Sequence, residues 1–453
     1  MTLRFRFAPS PTGLIHVGNL RTALFNWLLA RREGGEFLLR FDDTDAERSR
    51  LAFADAITED LAWLGINPDE TFRQSSRGAF YEAAAARLRL ADRLYPCFET
   101  AEELEAKRQS QRRRGKPPIY DRSALKLSES EKETLIAAGR KPHWRFLLSG
   151  SEATDSEISW NDLFRGRQKI DLQSLSDPIL IREDGLFLYT LPSVVDDAEK
   201  SVTHIIRGED HVTNTAVQID LFRALAVEPP VFGHHNLLTA ASGEGLSKRT
   251  GARSIASLRE AGYEPLAVAT LAALIGTSAT IEPKEDLEDL AAAFSPETVS
   301  RSPARFDLAE LDSLNARLLH ETPFAAISPR LTDLGVGGGE TFWLAVRGNS
   351  GKLPDTLDWW RTVTEEIEPP DLSSEGLLLD AAITLLPEEP WDEATFGVWT
   401  KAVKTETGHR GRALFMPLRL ALTGVDHGPE LAKILPFIGR KDTLVRLAAA
   451  LRQ

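Results

Sequence analysis

A single cysteine, Cys97, stands among 453 residues. It excludes a disulfide framework within the chain and any zinc site built on several cysteines. Long apolar runs are missing too. None approaches the roughly 18 residues of a membrane-spanning helix, so no membrane partner is expected. The opening "MTLRFRFAPSPTG" lacks the apolar core and small-residue cleavage site of a secretory signal, which predicts a cytoplasmic protein. Positive charge is in deficit: 54 Lys and Arg against 67 Asp and Glu give a net charge of −13. That argues against non-specific nucleic-acid binding by the whole surface, while a local basic face stays compatible with it. No internal repeat or long low-complexity tract occurs.

What is present is an ordinary globular balance, 42% apolar and 27% charged, at a length that calls for two to four domains. "RFRFA" at 4–8 alternates as a strand does. A Pro/Gly turn follows, and then Leu20, Ala23, Leu24, Trp27 and Leu28 recur at helical spacing, with Arg31 and Arg32 at the end that suits cations. A second strand is predicted at 36–41, an acidic turn after it, and an amphipathic helix at 51–64 with Gly65 as its C-terminal cap. Strand, helix, strand, helix argues for a parallel sheet with crossovers. The pattern loosens over 75–185, read as an insertion, where "KRQSQRRRGKPP" forms a basic run. Strand-like stretches return at 185–197 and 202–211, followed by a helix at 213–226 and a Gly/Ser-rich loop at 239–254. Beyond 255 helical patterning dominates, with breaks near 280–285, 328–340 and 367–371.

Two loops carry the chemistry. In "APSPTGLIHVGN" at 8–19, a turn between a parallel strand and a helix sets helix N-terminal amides at the carboxyl edge of the sheet, a favourable place for phosphate. His16 and Asn19 stand there as donors, and Gly18 lets a ligand approach the backbone. The bland alternative is a histidine that caps the helix. Far downstream, "GLSKRTG" at 245–251 puts Lys248 and Arg249 in a loop suited to closing over a polyphosphate. Its bland alternative is a solvated basic loop. Together the two frame one nucleotide site.

These stretches, with "FLLRFDDTDAERS" and "VVDDAEKSVTHIIRGEDH", resemble the motifs of bacterial glutamyl-tRNA synthetases of class I. The first loop is similar to the HIGH motif of that class and the last to its KMSKS motif. "KTETGHRGRALFMPLRLALTG" near the C-terminus is similar to the family's anticodon-binding region. The resemblance implies an α/β fold: a Rossmann-type catalytic core (1–75 and 186–240) with an α+β acceptor-binding insertion (76–185). A stem-contact region with the KMSKS-like loop (241–305) and an all-α anticodon-binding region of two subdomains (306–453) would follow.

It also implies an activity. Glutamate and ATP would give glutamyl-adenylate, and the glutamyl group would pass to the terminal adenosine of tRNA. His16, Asn19 and Lys248 would be catalytic. ATP would meet Gly18, Asp210, Leu246, Ser247, Lys248 and Arg249. Glutamate would meet Arg6, Ala8, Ser10, Asp42, Tyr189, Ser193 and Arg207. Guanidinium forks at Arg6 and Arg207 suit a side-chain carboxylate, and Asp42 matches the position that receives the α-amino group. Relatives often have glutamate there. Asp196, Asp197 and Glu209 would organise the site. Gly245 stands where many relatives have the first KMSKS lysine, which leaves more of the charge to Lys248. Mg²⁺ would accompany ATP. Some relatives hold zinc in the insertion through clustered cysteines, whereas here only Cys97 and nearby Tyr120 remain, so no zinc is expected. The partners implied are tRNA and L-glutamate, acting on a monomer. Without the family pattern, Arg6 reads as a surface charge on an edge strand, and Asp42, Asp43 and Asp45 as helix caps. Other readings are a glutaminyl-tRNA synthetase, a tRNA-modifying paralogue without the anticodon region, a silent tRNA-binding protein and a small-molecule nucleotidyltransferase.

Overall fold

A computed structural model describes residues 2–150, 156–240 and 253–451. The chain divides into two compact units, Met1–Leu258 with Ala269–Asp307, and Arg259–Val268 with Leu308–Gln453.

The first unit opens with β1 (Arg4–Phe7), α1 (Val17–Arg32), β2 (Glu36–Phe41), α2 (Leu51–Trp63) and β3 (Glu70–Arg73). The insertion follows as α3 (Gly78–Leu90), β4 (Leu94–Cys97), α4 (Ala101–Arg113), α5 (Glu129–Ala137), β5 (His143–Phe146), β6 (Glu157–Asp162), β7 (Gly166–Asp171) and β8 (Ile179–Ile181). The chain then returns through α6 (Thr190–Glu199), β9 (His204–Gly208), α7 (Val212–Ala224), β10 (Val231–His235) and β11 (Leu238–Ala240). Beyond come α8 (Ile255–Glu260), α9 (Pro265–Leu274), α10 (Leu287–Ala293) and β12 (Ala304–Phe306).

Five strands make one parallel sheet in the order β10-β9-β1-β2-β3. The chain runs outward from β1 to β3, then restarts on the other side of β1 with β9. That reversal opens a crevice at the carboxyl ends of β1 and β9, where such sheets bind ligands. The sheet is apolar on both faces, as covered parallel sheets are: Phe5, Phe7, Phe37, Leu38, Leu39, Ile205 and Ile206 are all buried. Three arginines interrupt this pattern, Arg6, Arg40 and Arg207, and all three are buried as well. Gly65, just past α2, takes φ +79°, the left-handed value that ends a helix cheaply for glycine alone.

In the insertion, β4, β5 and β8 form one antiparallel sheet and β6 and β7 a hairpin. The basic run lies on α4 and beyond it, and no residue of α4 is buried. Beside Cys97, the Lys107 ammonium donates to Glu99 Oε1 (3.0 Å), Asp121 Oδ1 (3.4 Å) and Ser123 Oγ (2.5 Å), and the Tyr120 hydroxyl donates to Glu99 Oε1 at 2.8 Å. Among the described residues no group of His, Cys, Asp and Glu is arranged to hold a metal ion.

Structure departs from pattern at 185–197. The strand-like "GLFLYTLPSVVDD" contributes a single bridge, Phe187 to Ile181, and then becomes helix α6. Pro192 sits in the first turn, where its missing N–H costs nothing. Leu191, Val194 and Val195 are buried at helical spacing, and Asp196 is gripped by Arg77, Gln74 and Tyr81. Tertiary contacts override the β-branched composition here. A second departure is the short parallel pair β11–β12, inside segments read as loop and helix.

The second unit is helical: α11 (Leu308–Glu321), α12 (Phe324–Asp333), α13 (Gly339–Val346), α14 (Asp355–Thr364), α15 (Gly376–Thr384), α16 (Glu393–Thr407), α17 (Arg412–Thr423) and α18 (Leu431–Ala450). Trp343 and Trp399 are fully buried in its core, and the Trp399 indole donates to the Ala382 carbonyl at 2.9 Å. Lys401 and Lys404 on α16, Arg410 in the connection after it and Arg412 on α17 are exposed. Arg419 is half-buried and donates to the carbonyls of His427 and Pro429.

Candidate active site

A cleft of about 710 Å³ opens at the sheet's carboxyl edge. Its lining brings together Arg6, Ala8, Ser10, His16, Gly18, Asn19, Asp42, Tyr189, Arg207 and Asp210, residues drawn from five separate stretches of chain. The Pro/Gly turn after β1 is pinned by its own carbonyls: the Asp42 N–H donates to Pro9 O and the Arg50 N–H to Pro11 O, both at 3.0 Å.

His16 is the N-cap of α1. Its Nδ1 accepts the Gly18 N–H at 3.1 Å, and Asn19 Oδ1 accepts the His16 N–H at 3.2 Å. The capping reading therefore holds, and it has a chemical consequence. With Nδ1 used as acceptor, the neutral ring carries its proton on Nε2. Burial lowers the pKa of His16 below the ordinary histidine value, so the ring is a neutral Nε2–H donor at physiological pH. Backbone pairing of His16 with Ser254, and an Ile255 N–H donated to Ile15 O at 3.1 Å, fix the chain beyond the downstream loop beside this cap. On the near side, Leu238 of β11 lines the cleft. Gly245, Leu246, Ser247, Lys248 and Arg249 lie outside the described residues.

Arg6 is in a central strand, not at an edge. Its Nε and Nη2 donate to the two oxygens of Asp197 on α6, at 3.2 and 3.3 Å. Arg40 donates to Asp42, to Asp197 Oδ1 (2.8 Å) and to Ser193 Oγ (3.0 Å). Burial opposes its charge, but the carboxylates of Asp42, Asp197 and Asp196 hold its pKa above the usual arginine range. Ser193 is fully buried behind the cleft and is absent from its lining. The acidic turn divides its work: Asp42 lines the cleft, Asp43 accepts from the Ser75 N–H and hydroxyl, and Asp45 accepts the Arg48 N–H.

Arg207 differs from both other arginines. Its Nη1 donates to the Tyr189 hydroxyl (3.2 Å), Nη2 to Thr215 Oγ1 (2.6 Å) and Nε to His234 Nε2 (3.3 Å). All three partners are neutral groups. Among the described residues no carboxylate forms an ion pair with it, and burial pulls its pKa below the usual arginine range. A guanidinium has five N–H donors, so two stay free, one on each terminal nitrogen, which is the fork that grips a carboxylate. The cleft thus balances Arg6 and Arg40 against Asp42 and Asp197 and keeps one buried cation over.

Several lining residues were not anticipated from the sequence. Thr12, Thr22, His211, His235, Leu237 and Leu238 all face the cleft. His211 completes the "GEDH" stretch already quoted, so its position was a readable signal. His235 offered none. It is buried, with Nδ1 donating to Asn236 O at 2.9 Å and Nε2 accepting from the Thr22 hydroxyl at 3.0 Å. Asp210 is exposed, and Glu209 pairs with Arg165 of the insertion.

Comparison with known proteins agrees with this geometry. A family model described as tRNA synthetases class I (E and Q), catalytic domain, matches residues 2–313, and an anticodon binding domain matches 366–451. A glutamate–tRNA ligase 1 of Chelativorans sp. is 58% identical, with 98% of this chain and 100% of that protein covered. A glutamate–tRNA ligase 2 of Methylobacterium radiotolerans is 57% identical over 99% and 100%. Among solved structures, a glutamate tRNA ligase from Elizabethkingia meningosepticum in complex with its amino acid superposes with a TM-score of 0.87, at 26% identity and full coverage of both chains. The cleft, the parallel sheet that builds it and these matches together place the chain in the glutamate–tRNA ligase family of class I tRNA synthetases.

Proposed function

We propose that the chain activates L-glutamate with MgATP to glutamyl-adenylate and transfers the glutamyl group to the 3′ terminal adenosine of tRNA. The observation that carries this is Arg207, a buried cation with two free N–H groups and no carboxylate partner among the described residues. A glutamate side chain would supply the missing charge in fork geometry. Arg6 would share the carboxylate, and Asp42 would receive the α-amino group beside Ala8, Ser10 and Tyr189. Ser193 would act on the amino acid only through Arg40.

The substrate's α-carboxylate would attack the α-phosphorus, and the protein's task would be to orient and to stabilise charge. His16 Nε2–H and the Asn19 amide would donate to phosphate oxygens near Gly18. Asp210 would face the nucleoside. Lys248, with Leu246, Ser247 and Arg249, would neutralise the leaving pyrophosphate. Residues 76–185 would cradle the acceptor end, 241–305 would contact the stem, and 306–453 would read the anticodon. We take the enzyme to work as a cytoplasmic monomer without zinc. Among the described residues no helix is long and apolar enough to cross a membrane. The anticodon-binding match at 366–451 speaks against the tRNA-modifying reading, which requires no such region.

The test is charging of separate transcripts of the glutamate and glutamine tRNAs with labelled glutamate. Charging of either supports the proposal and fixes the tRNA specificity. ATP consumption with neither tRNA charged would reject it.

A further inference from the structure

The glutamate end of the cleft is held from behind by a hairpin of the insertion. β6 ends at Asp162, and the turn after it plugs against β10. The Leu163 N–H donates to Phe232 O at 3.0 Å. Phe164 lies so close to Gly233 that a Cβ there would come within 2.8 Å of its ring. Asp162 and His234 are both buried, and neither lines the cleft. Oδ1 of Asp162 accepts the backbone N–H groups of Phe164 and Arg165 at 3.1 Å and of His234 at 3.0 Å. Oδ2 makes a short hydrogen bond with His234 Nδ1. At the other end of that ring, Nε2 lies 3.3 Å from Arg207 Nε and 2.8 Å from Thr215 Oγ1. His234 and Arg207 are register partners on adjacent strands.

The Asp162 carboxylate and the Arg207 guanidinium together favour one placement for the ring proton. A guanidinium only donates and an ionised carboxylate only accepts. A proton on Nε2 would find Thr215 Oγ1 as an acceptor at 2.8 Å but would set its N–H against the Arg207 Nε–H at 3.3 Å. The proton therefore sits on Nδ1, facing Asp162, and Nε2 presents its lone pair to Arg207. We propose that Asp162 and His234 are positioning residues for glutamate recognition, fixing Arg207 so that its two unused N–H groups face the substrate carboxylate. The proposal rests on the assignment of Arg207 to the glutamate side chain, and it makes the insertion part of the amino-acid site. The logic is that of a carboxylate setting the tautomer of a histidine that serves a third group.

Asp162→Asn is the test. Three backbone N–H groups hold Oδ1 against the one Trp160 Nε1–H at Oδ2 (3.3 Å), so the asparagine carbonyl takes that place and its amide NH₂ falls where Oδ2 was. It then donates to Nδ1 and drives the ring proton to Nε2, against Arg207. In tRNA charging by the full chain, the KM for glutamate should rise about tenfold to a hundredfold, the loss expected when a hydrogen bond to a charged substrate group is impaired. The KM values for ATP and tRNA should stay at the wild-type level. Nitrogen NMR of histidine-labelled enzyme, with the His234 signal assigned by its loss in His234→Gln, should move from the Nδ1–H to the Nε2–H tautomer. A wild-type glutamate KM in Asp162→Asn overturns the proposal. Arg207→Gln separates the two assignments. If it leaves the glutamate KM normal, the role of Arg207 itself is wrong. If it raises that KM while Asp162→Asn does not, only the positioning role falls. Where Asp162→Asn fails to fold, the wild-type spectrum decides: Nδ1–H supports the proposal, and protonation at Nε2 or at both nitrogens rejects it.

Discussion

Arg40 and Asp42, two residues apart at the end of one strand, are joined by two hydrogen bonds, Nε to Oδ1 at 2.6 Å and Nη2 to Oδ2 at 3.2 Å. Arg40 is fully buried and Asp42 nearly so. The carboxylate assigned to the substrate's amino group is thus already oriented by the protein. It has a structural duty beside the binding one proposed for it.

That double duty can be separated. Asp42→Ala leaves a buried guanidinium short of one partner, and breaking a buried pair costs about 3–5 kcal/mol. The denaturation midpoint should fall and the glutamate KM should rise. Asp42→Glu retains the charge, so stability should largely recover. A midpoint unchanged in Asp42→Ala would show that Asp197 alone satisfies Arg40.

His16 serves as cap and as proposed phosphate donor through different nitrogens. Asparagine is a good N-cap but has no group at the place of Nε2. His16→Asn should keep wild-type thermal stability while slowing glutamate-dependent pyrophosphate exchange by about two to three decades. His16→Ala should lose that rate and about 1 kcal/mol of stability besides. Equal exchange rates in His16→Asn and wild type would remove the ring from the chemistry.

His235 predicts acid sensitivity. Burial, with the nearby Arg21 charge, pushes its pKa down to about 3, from an ordinary value of 6.5. The unfolded chain gains a proton as pH falls below 6.5 and the folded one does not, so the folded state loses ground from 6.5 downward until about 3. The slope is about 1.4 kcal/mol per pH unit for each such group. His143, pushed down to about 4 by burial, adds to it. Urea midpoints measured from pH 7.5 to 5 should fall, and His235→Gln should flatten the fall. An unchanged slope in that variant would assign the effect elsewhere.

Lys248 is expected to act on the leaving pyrophosphate rather than on tRNA. Lys248→Ala should lower adenylate formation by about two to three decades and leave the Kd for tRNA unchanged. Loss of tRNA affinity with normal adenylation would reverse the assignment.

Much of the fold could be read directly from the chain. β1, α1, β2 and α2 follow from local alternation, helical spacing and turn residues, which act over a few positions. The turn at 8–19 and its helix start were legible because glycine, proline and histidine carry a local backbone requirement, whereas the loop at 245–251 lies outside the described residues. Helix α6 was not, since its paired valines and the Phe187 and Tyr189 just before it favour a strand and buried contacts to Asp196 decide otherwise. For Arg6, the residues alone suggested a solvated surface. Its partner Asp197 lies 191 residues away, and no local pattern connects the two.

The sequence by itself determined which chemical groups are available: an imidazole at a helix start, arginines near strand ends, acids in the turn after β2, and too few cysteines for a metal cage. Tertiary structure alone decided their states. It paired Arg6 and Arg40 with Asp197, left Arg207 among neutral partners, put Ser193 behind the cleft rather than in it, and set the Asp162 carboxylate against His234. The reason is physical. Residue type is written locally, whereas charge balance, tautomer and pKa depend on burial and on partners that only the folded sheet brings within hydrogen-bond range.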